Sequence, residues 1–327
     1  MHKVSIIIPI YNVAPYVEKS LLSALNQTYN NIEYIIVDDC GKDNSMSIVE
    51  AVANSNPDKD IKIVRHPQNM GLSAARNTGL KNSTGEYVFF MDSDDTISDN
   101  CIELHLNAIQ QHDADFSDAN FQIIGSRNIF NITKSAYYLH ESDILIGCFN
   151  GQIHISAGNK LYKKSFITSN NLSFVQGLIH EDTIWMFDVA KHAKCVAMIP
   201  DYTYHYYIRG GSITTSVSAN SIIKRYDSWV YILNHIIDIA RNTDNKQLLS
   251  SISTWLSSIR FKISARLVVV DIDEDIKQKY YKLVNSEDVR KFSSGLFAPF
   301  CSLPYGLFKL IFKPLYNIFT YINSLKS

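Results

Sequence analysis

Short β-branched runs that end in polar residues alternate with stretches of helical spacing over the first 125 residues. Val4, Ile6, Ile7 and Ile8 predict a strand stopped by Pro9. Val17, Leu21, Leu22 and Leu25 then recur at helical spacing after Pro15. Residues 33–37 predict a second strand closing in Asp38 and Asp39, 45–54 a helix and 61–64 a third strand. A glycine-rich stretch at 69–79 enters the next helix, with Ser73 as its expected N-cap. Residues 85–91 read as a strand buried on both faces, running into Asp92, Ser93, Asp94 and Asp95. Strand and helix alternating at this spacing predict an α/β fold with a parallel sheet wound by helices.

Further along, the pattern predicts a helix over 100–111, a strand over 116–124, an insertion or edge hairpin at 126–140 and a helix over 142–149. An amphipathic helix follows Glu181 and Asp182, and an aromatic strand from Tyr202 breaks into a glycine loop after Ile208. Residues 218–283 carry helical apolar spacing throughout.

With 46% hydrophobic residues in 327, the chain can build a substantial core. A net charge of −1 excludes a general nucleic-acid binder. Cys40, Cys101, Cys148, Cys195 and Cys301 are scattered without a Cys-x-x-Cys pair, so neither a zinc site nor a disulfide framework is expected. The apolar run at 4–10 is too short and too interrupted for a signal peptide, and no stretch has the length of a transmembrane helix. A cytoplasmic location is therefore expected. From 289 onward the charged residues are all basic (Arg290, Lys291, Lys309, Lys313 and Lys326) among many aromatics. That composition suggests a segment lying at a membrane interface, at the inner face of the cytoplasmic membrane; a helix packed on its own domain is the competing reading.

Three acids in four residues at a strand end repel one another and call for a positive partner. Oxygen donors suit a hard cation, Mg²⁺ or Mn²⁺, that bridges to nucleotide phosphates, whereas a solvated turn capping the next helix is the plain alternative. Arg76 either reaches toward those phosphates or is an exposed helical arginine. Glu181 and Asp182 sit where the helix dipole favours acids in any case. His205 and Arg209 have the chemistry to meet a pyrophosphate, and Lys160, Lys163 and Lys164 read as solvated. Neither a dinucleotide fingerprint nor a Walker loop follows the first strand, which disfavours dehydrogenases and P-loop enzymes.

Taken together, residues 4–12, Asp38-Asp39, 71–79, 85–95 and Glu181-Asp182 resemble the family 2 glycosyltransferases. The match covers the first 125 residues closely, and the Asp-x-Asp motif stands as Asp92-Ser93-Asp94. The later segment around Arg209 and Ser212 is similar to the non-processive bacterial members that build capsule, exopolysaccharide or lipopolysaccharide. The resemblance implies a GT-A fold, a Rossmann-like and mostly parallel sheet flanked by helices, with a helical C-terminal extension. It implies a catalytic domain over 1–215, a helical extension over 216–288 and a basic, aromatic tail over 289–327. Pro9, Tyr11 and Asp39 would hold the nucleobase, with Asn12, Ser93, Arg76 and Arg209 also on the nucleotide side and Asp38 supporting the turn. Asp92 would contact ribose or metal, Asp94 the metal itself, and Asp182 would be the base with Glu181 in reserve. The implied partners are a nucleotide-sugar donor, a UDP-sugar, and a glycan or lipid-linked acceptor. A Gln-x-x-Arg-Trp motif is missing, so transfer of one sugar is expected. A polyprenyl-phosphate sugar synthase and a catalytically silent glycan-binding protein are the alternatives.

Overall fold

In the computed structural model, which describes residues 2–125, 132–208 and 218–324, the apolar runs become a nine-stranded sheet flanked by helices. The order begins β1 (Val4–Ile10), α1 (Val17–Leu25), β2 (Ile32–Asp38), α2 (Ser45–Ser55), β3 (Asp60–Arg65), α3 (Leu72–Asn82) and β4 (Tyr87–Phe90). It continues with β5 (Thr96–Ile97), α4 (Cys101–His112), β6 (Phe116–Ile124), β7 (Tyr137–His140), α5 (Ser142–Asn150) and β8 (Lys160–Lys163). The short α6 (Lys164–Ser169), then α7 (Glu181–His192) and β9 (Cys195–Tyr207), complete it. Along the sheet the strands run β3-β2-β1-β4-β8-β6-β9-β5, with β7 paired to β9. β3, β2, β1 and β4 are mutually parallel, as are β6 and β9, while β8, β5 and β7 join antiparallel.

β1 is buried at every position because both of its faces are covered. Ile6 and Ile8 pack into a cluster with Leu21 of α1, Val49 of α2 and Ile102 of α4. Ile7 faces α3, where Gly79 permits close approach: a Cβ there would lie 2.2 Å from Ile7 Cγ2. The strand does not stop at Pro9, as the sequence suggested, but pairs with β2 through Ile10↔Asp38. The ladder to β4 ends at Ile7↔Phe90, so on that side the proline interrupts no pairing. Four parallel strands thus send their carboxyl ends to one edge, which is where a ligand crevice forms in such sheets.

Glu33 anchors the opposite edge. This carboxylate on β2 accepts from Ser5 Oγ at 2.5 Å, Thr84 Oγ1 at 2.7 Å and Gly85 N at 3.0 Å, accepts from Thr84 N, and pairs with Lys3 at 3.0 Å. Lys160, expected to be solvated, is fully buried on β8, 2.9 Å from Asp118 of β6, its register partner. His154 adds a backbone bond of 2.9 Å to the same carboxylate. Lys163 instead pairs with Asp113, and Lys164 donates to the Ser83 carbonyl.

The chain divides into two compact units, Met1–Gly210 and Gly211–Ser327. The second is helical: α8 (Ala219–Arg241), α9 (Lys246–Val269), α10 (Glu274–Val284), α11 (Glu287–Lys291), a tight turn at Phe300–Ser302 and α12 (Tyr305–Ser324). Phe308 of α12 is fully buried against Phe261 and Tyr281, and Phe312 stacks on Phe308 at 4.4 Å. Leu310 and Leu315, on the same helix, are 72% and 53% exposed. The tail therefore packs one face on its own unit and leaves another apolar face open. Among the described residues, no helix is long and apolar enough to cross a membrane.

Candidate active site

Just past β2, the Asp39 side chain reaches across to the loop that follows β3. Its Oδ1 lies 2.7 Å from His66 Nδ1 and accepts from Met70 N at 2.8 Å; its Oδ2 accepts from Asn69 Nδ2 and Gly71 N, both at 2.9 Å. Four donors occupy the acceptor sites of a buried carboxylate. Asp39, expected to accept from a nucleobase, here holds the loop that starts α3, while the turn after β2 is bonded by Asp38, as expected of it. Asp38 accepts from Cys40 N at 3.0 Å and lies 3.7 Å from Arg65 Nε.

The loop ends at Gly71, whose φ of +87° suits glycine and which caps α3. Ser73 lies inside the helix rather than at its cap, with a buried hydroxyl that has no hydrogen-bond partner among the described residues. One turn on, Arg76 is 1% exposed. Its Nη2 donates to Asp92 Oδ1 at 2.9 Å, and its Nη1 donates to Glu181 Oε1 at 2.8 Å and Asp182 Oδ1 at 2.6 Å. The guanidinium also lies over the Phe174 ring, 5.2 Å from its centre, and Phe174 in turn stacks on Trp185 of α7. Neither an exposed arginine nor one reaching for phosphates describes it. It is the resident cation that lets carboxylates from two distant segments approach.

Burial lowers the Arg76 pKa, but Asp182, Asp92 and Glu181 together hold it well above the ordinary arginine range. Burial raises Glu181, and the neighbouring Asp182 adds to that while Arg76 opposes it. Asp182 is raised by the same desolvation, against the pull of Arg76 and a bond from the Ala157 backbone N–H. The Asp182 side chain is 24% exposed and that of Glu181 11%, so Asp182 is the one better presented to solvent.

The acids after β4 form a turn closed by Asp95 N donating to Asp92 O at 3.3 Å. Ser93 is buried and Asp94 half-buried. Asp95 accepts from Tyr207 N at 3.0 Å, and burial followed by repulsion from Asp92 and Asp94 pushes its pKa up to about 8. An all-oxygen set under such repulsion fits a hard divalent cation. Among the described residues no three metal-binding side chains converge, so an ion at Asp94 and Asp92 would complete its shell with diphosphate and water.

Tyr11, expected on the nucleotide side, is 40% exposed just past the end of β1. Asn12, at φ +52°, accepts from Lys42 N at 2.7 Å and so ties the turn after β1 to the turn after β2. Pro9 is buried in the strand itself. Arg209 lies outside the described residues. Sequence reasoning missed His66, Asn69 and Tyr204, which fix the loop and the Asp92 turn. His66 directly follows β3 at its carboxyl end, which is the one signal that pointed to it. Tyr204 Oη accepts from Asp92 N at 3.1 Å.

Comparison with known proteins bears on the family and the fold. The model for glycosyl transferase family 2 matches residues 5–169. EpsH of Bacillus subtilis is 31% identical over 234 residues, which is 70% of this chain and 64% of EpsH, so the chain spans less than two thirds of that relative. S. aureus TarS 1–349 in complex with UDP-GlcNAc superposes with a TM-score of 0.77 at 21% identity, covering 96% of this chain and 92% of that one. A mannosyltransferase from Pyrobaculum calidifontis, in complex with GDP-Man and Mn²⁺, gives 0.61 at 16% identity, over 95% and 87% of the two chains. These similarities identify the fold as GT-A with a helical C-terminal region.

Proposed function

The chain belongs to glycosyl transferase family 2, and from that membership we propose an inverting, non-processive transferase that moves one sugar from a UDP-sugar to a hydroxyl of a glycan or lipid-linked acceptor. The sugar is a hexose or N-acetylhexosamine and the setting is cell-surface polysaccharide synthesis. The observation that carries this reading is that Asp92 and Asp182 meet on one guanidinium. An acid from the donor-side motif and an acid with the exposure of a base therefore share one place at the strand ends. The UDP-GlcNAc bound to TarS supports a UDP donor.

In this reading the acceptor oxygen attacks the anomeric carbon while the bond to the diphosphate oxygen breaks on the opposite face, and the hydroxyl proton passes to Asp182. Arg76 and the Ala157 N–H hold that carboxylate in place. Desolvation makes it a stronger base than a surface aspartate. Tyr11 offers a stacking face for the base, beside Pro9 and Asn12. Held by Asp94 with Asp92, Mg²⁺ or Mn²⁺ would supply positive charge to the departing diphosphate. The open face of α12 favours a peripheral position at the inner membrane face.

A screen of UDP-sugars for Mn²⁺-dependent release of UDP, followed by an acceptor screen with the best donor, tests the proposal. Release from none of them, with any acceptor, sinks it in favour of a silent glycan-binding protein. Transfer that survives Asp182→Asn points instead to a polyprenyl-phosphate acceptor, which needs no base.

A further inference from the structure

The helical unit has a cavity of about 770 Å³ bounded by α10, the turn at Phe300–Ser302 and the start of α12. Lys282, Arg290 and Lys309 line it against one carboxylate, Glu274, which Lys309 already engages. Arg260 of α9 stands behind this wall and is 1% exposed. Its Nε donates to Asn285 Oδ1 at 3.1 Å, but among the described residues its Nη2 has no hydrogen-bond partner and no carboxylate pairs with it. The groups that act on it electrostatically, Cys301, Arg290 and Tyr281, all line the cavity.

A buried guanidinium beside a second arginine, without a counter-ion, is costly to fold. Arg76 shows how this chain treats a buried arginine elsewhere, with three carboxylates around it. The first turn of α12, at Tyr305 and Gly306, also lines the cavity and carries no acid. Its first N–H groups lack intrahelical acceptors and favour an anion.

We propose that this cavity binds a phosphoryl group. Arg260, Lys282, Arg290 and Lys309 against Glu274 leave an excess of positive charge that suits a phosphate ester carrying about −1.5 to −2 better than a single carboxylate. Two sources share that chemistry. One is an anionic lipid headgroup, whose chains would lie along Leu307 and Leu310, 44% and 72% exposed next to the cavity residues Gly306 and Lys309. The other is a soluble phosphate ester. The proposal is independent of the transferase reading.

The test compares the full chain with Lys282→Glu/Arg290→Glu, both positions being exposed. One arm titrates inorganic phosphate calorimetrically in EDTA at constant ionic strength, and the other sediments the protein with phosphatidylglycerol or with phosphatidylcholine vesicles. Binding of phosphate alone identifies a soluble ester, and retention on phosphatidylglycerol but not phosphatidylcholine identifies a headgroup. In either case the double variant is expected to bind about tenfold more weakly or worse, with its circular dichroism spectrum and melting temperature unchanged. Binding of neither probe by the unmodified chain, or equal binding by the variant, overturns the proposal.

Discussion

At the scale of single residues, Arg76 decides what the acids do. Arg76→Met would leave Asp92, Glu181 and Asp182 around no cation. The expected cost is about 3–5 kcal/mol, read as a lower urea midpoint, because the loss strands buried charge. Arg76→Lys is expected to recover little of it, since an ammonium cannot reproduce the fork that reaches three carboxylates. Asp182→Asn should lower turnover by about 100-fold or more while donor binding persists, a split that a UDP titration and a rate assay on the same preparation would show. The same carboxylate sets the pH dependence. Desolvation raises Asp182, and the base must be deprotonated to act, so kcat is expected to fall as pH drops through a value above the ordinary carboxylate range of about 4. A profile flat down to pH 4 would contradict Asp182 as the base. Asp94→Ala should abolish any Mn²⁺-stimulated release of UDP with the circular dichroism spectrum unchanged, and undiminished Mn²⁺ stimulation would remove Asp94 from the metal site.

At the scale of elements, the sheet is held at both edges by carboxylates with unlike tasks. Asp39 fixes the start of α3, and Glu33 joins β1, β2 and the turn before β4. Burial works against the charged form of Glu33, but bonds from Ser5, Thr84 and Lys3 outweigh it and bring its pKa down to about 2. The folded value lies below the unfolded value of about 4.3. This contribution is therefore complete above that pH and is lost as pH falls toward 2. Glu33→Gln is expected to cost about 1–3 kcal/mol at neutral pH. Urea melts of the variant should also vary less between pH 4 and pH 2 than those of the parent chain. Apart from the two-residue β5, the strands and helices up to residue 124 were legible from the spacing of apolar residues, because each is bounded by its own turn chemistry. Pro9, Ser73 and Lys160 were not. A proline inside a strand, a serine two residues past the true cap and a buried lysine each depend on what the neighbouring strand or helix brings across, and local sequence carries no record of that.

At the scale of the whole molecule, the tail and the helical unit need separating by experiment. Removing α12 would uncover Phe261 and Tyr281, so truncation confounds stability with any membrane role. Leu310→Glu with Leu315→Glu alters only exposed positions and is expected to reduce retention on vesicles with the melting temperature unchanged. Equal retention would leave the open face without a membrane role. The sequence by itself determined the alternation of strands and helices, the acids at the strand ends and the likeness to a family of sugar transferases, because these rest on periodicity and on motifs contiguous in the chain. Only the tertiary structure decided that Arg76, not a metal alone, answers Asp92 and the pair at 181 and 182, that Asp39 holds the loop into α3, and that Arg260 is buried with no carboxylate paired to it among the described residues. Each of those facts joins segments far apart along the chain, and charges from distant segments interact only once folding has excluded the water between them.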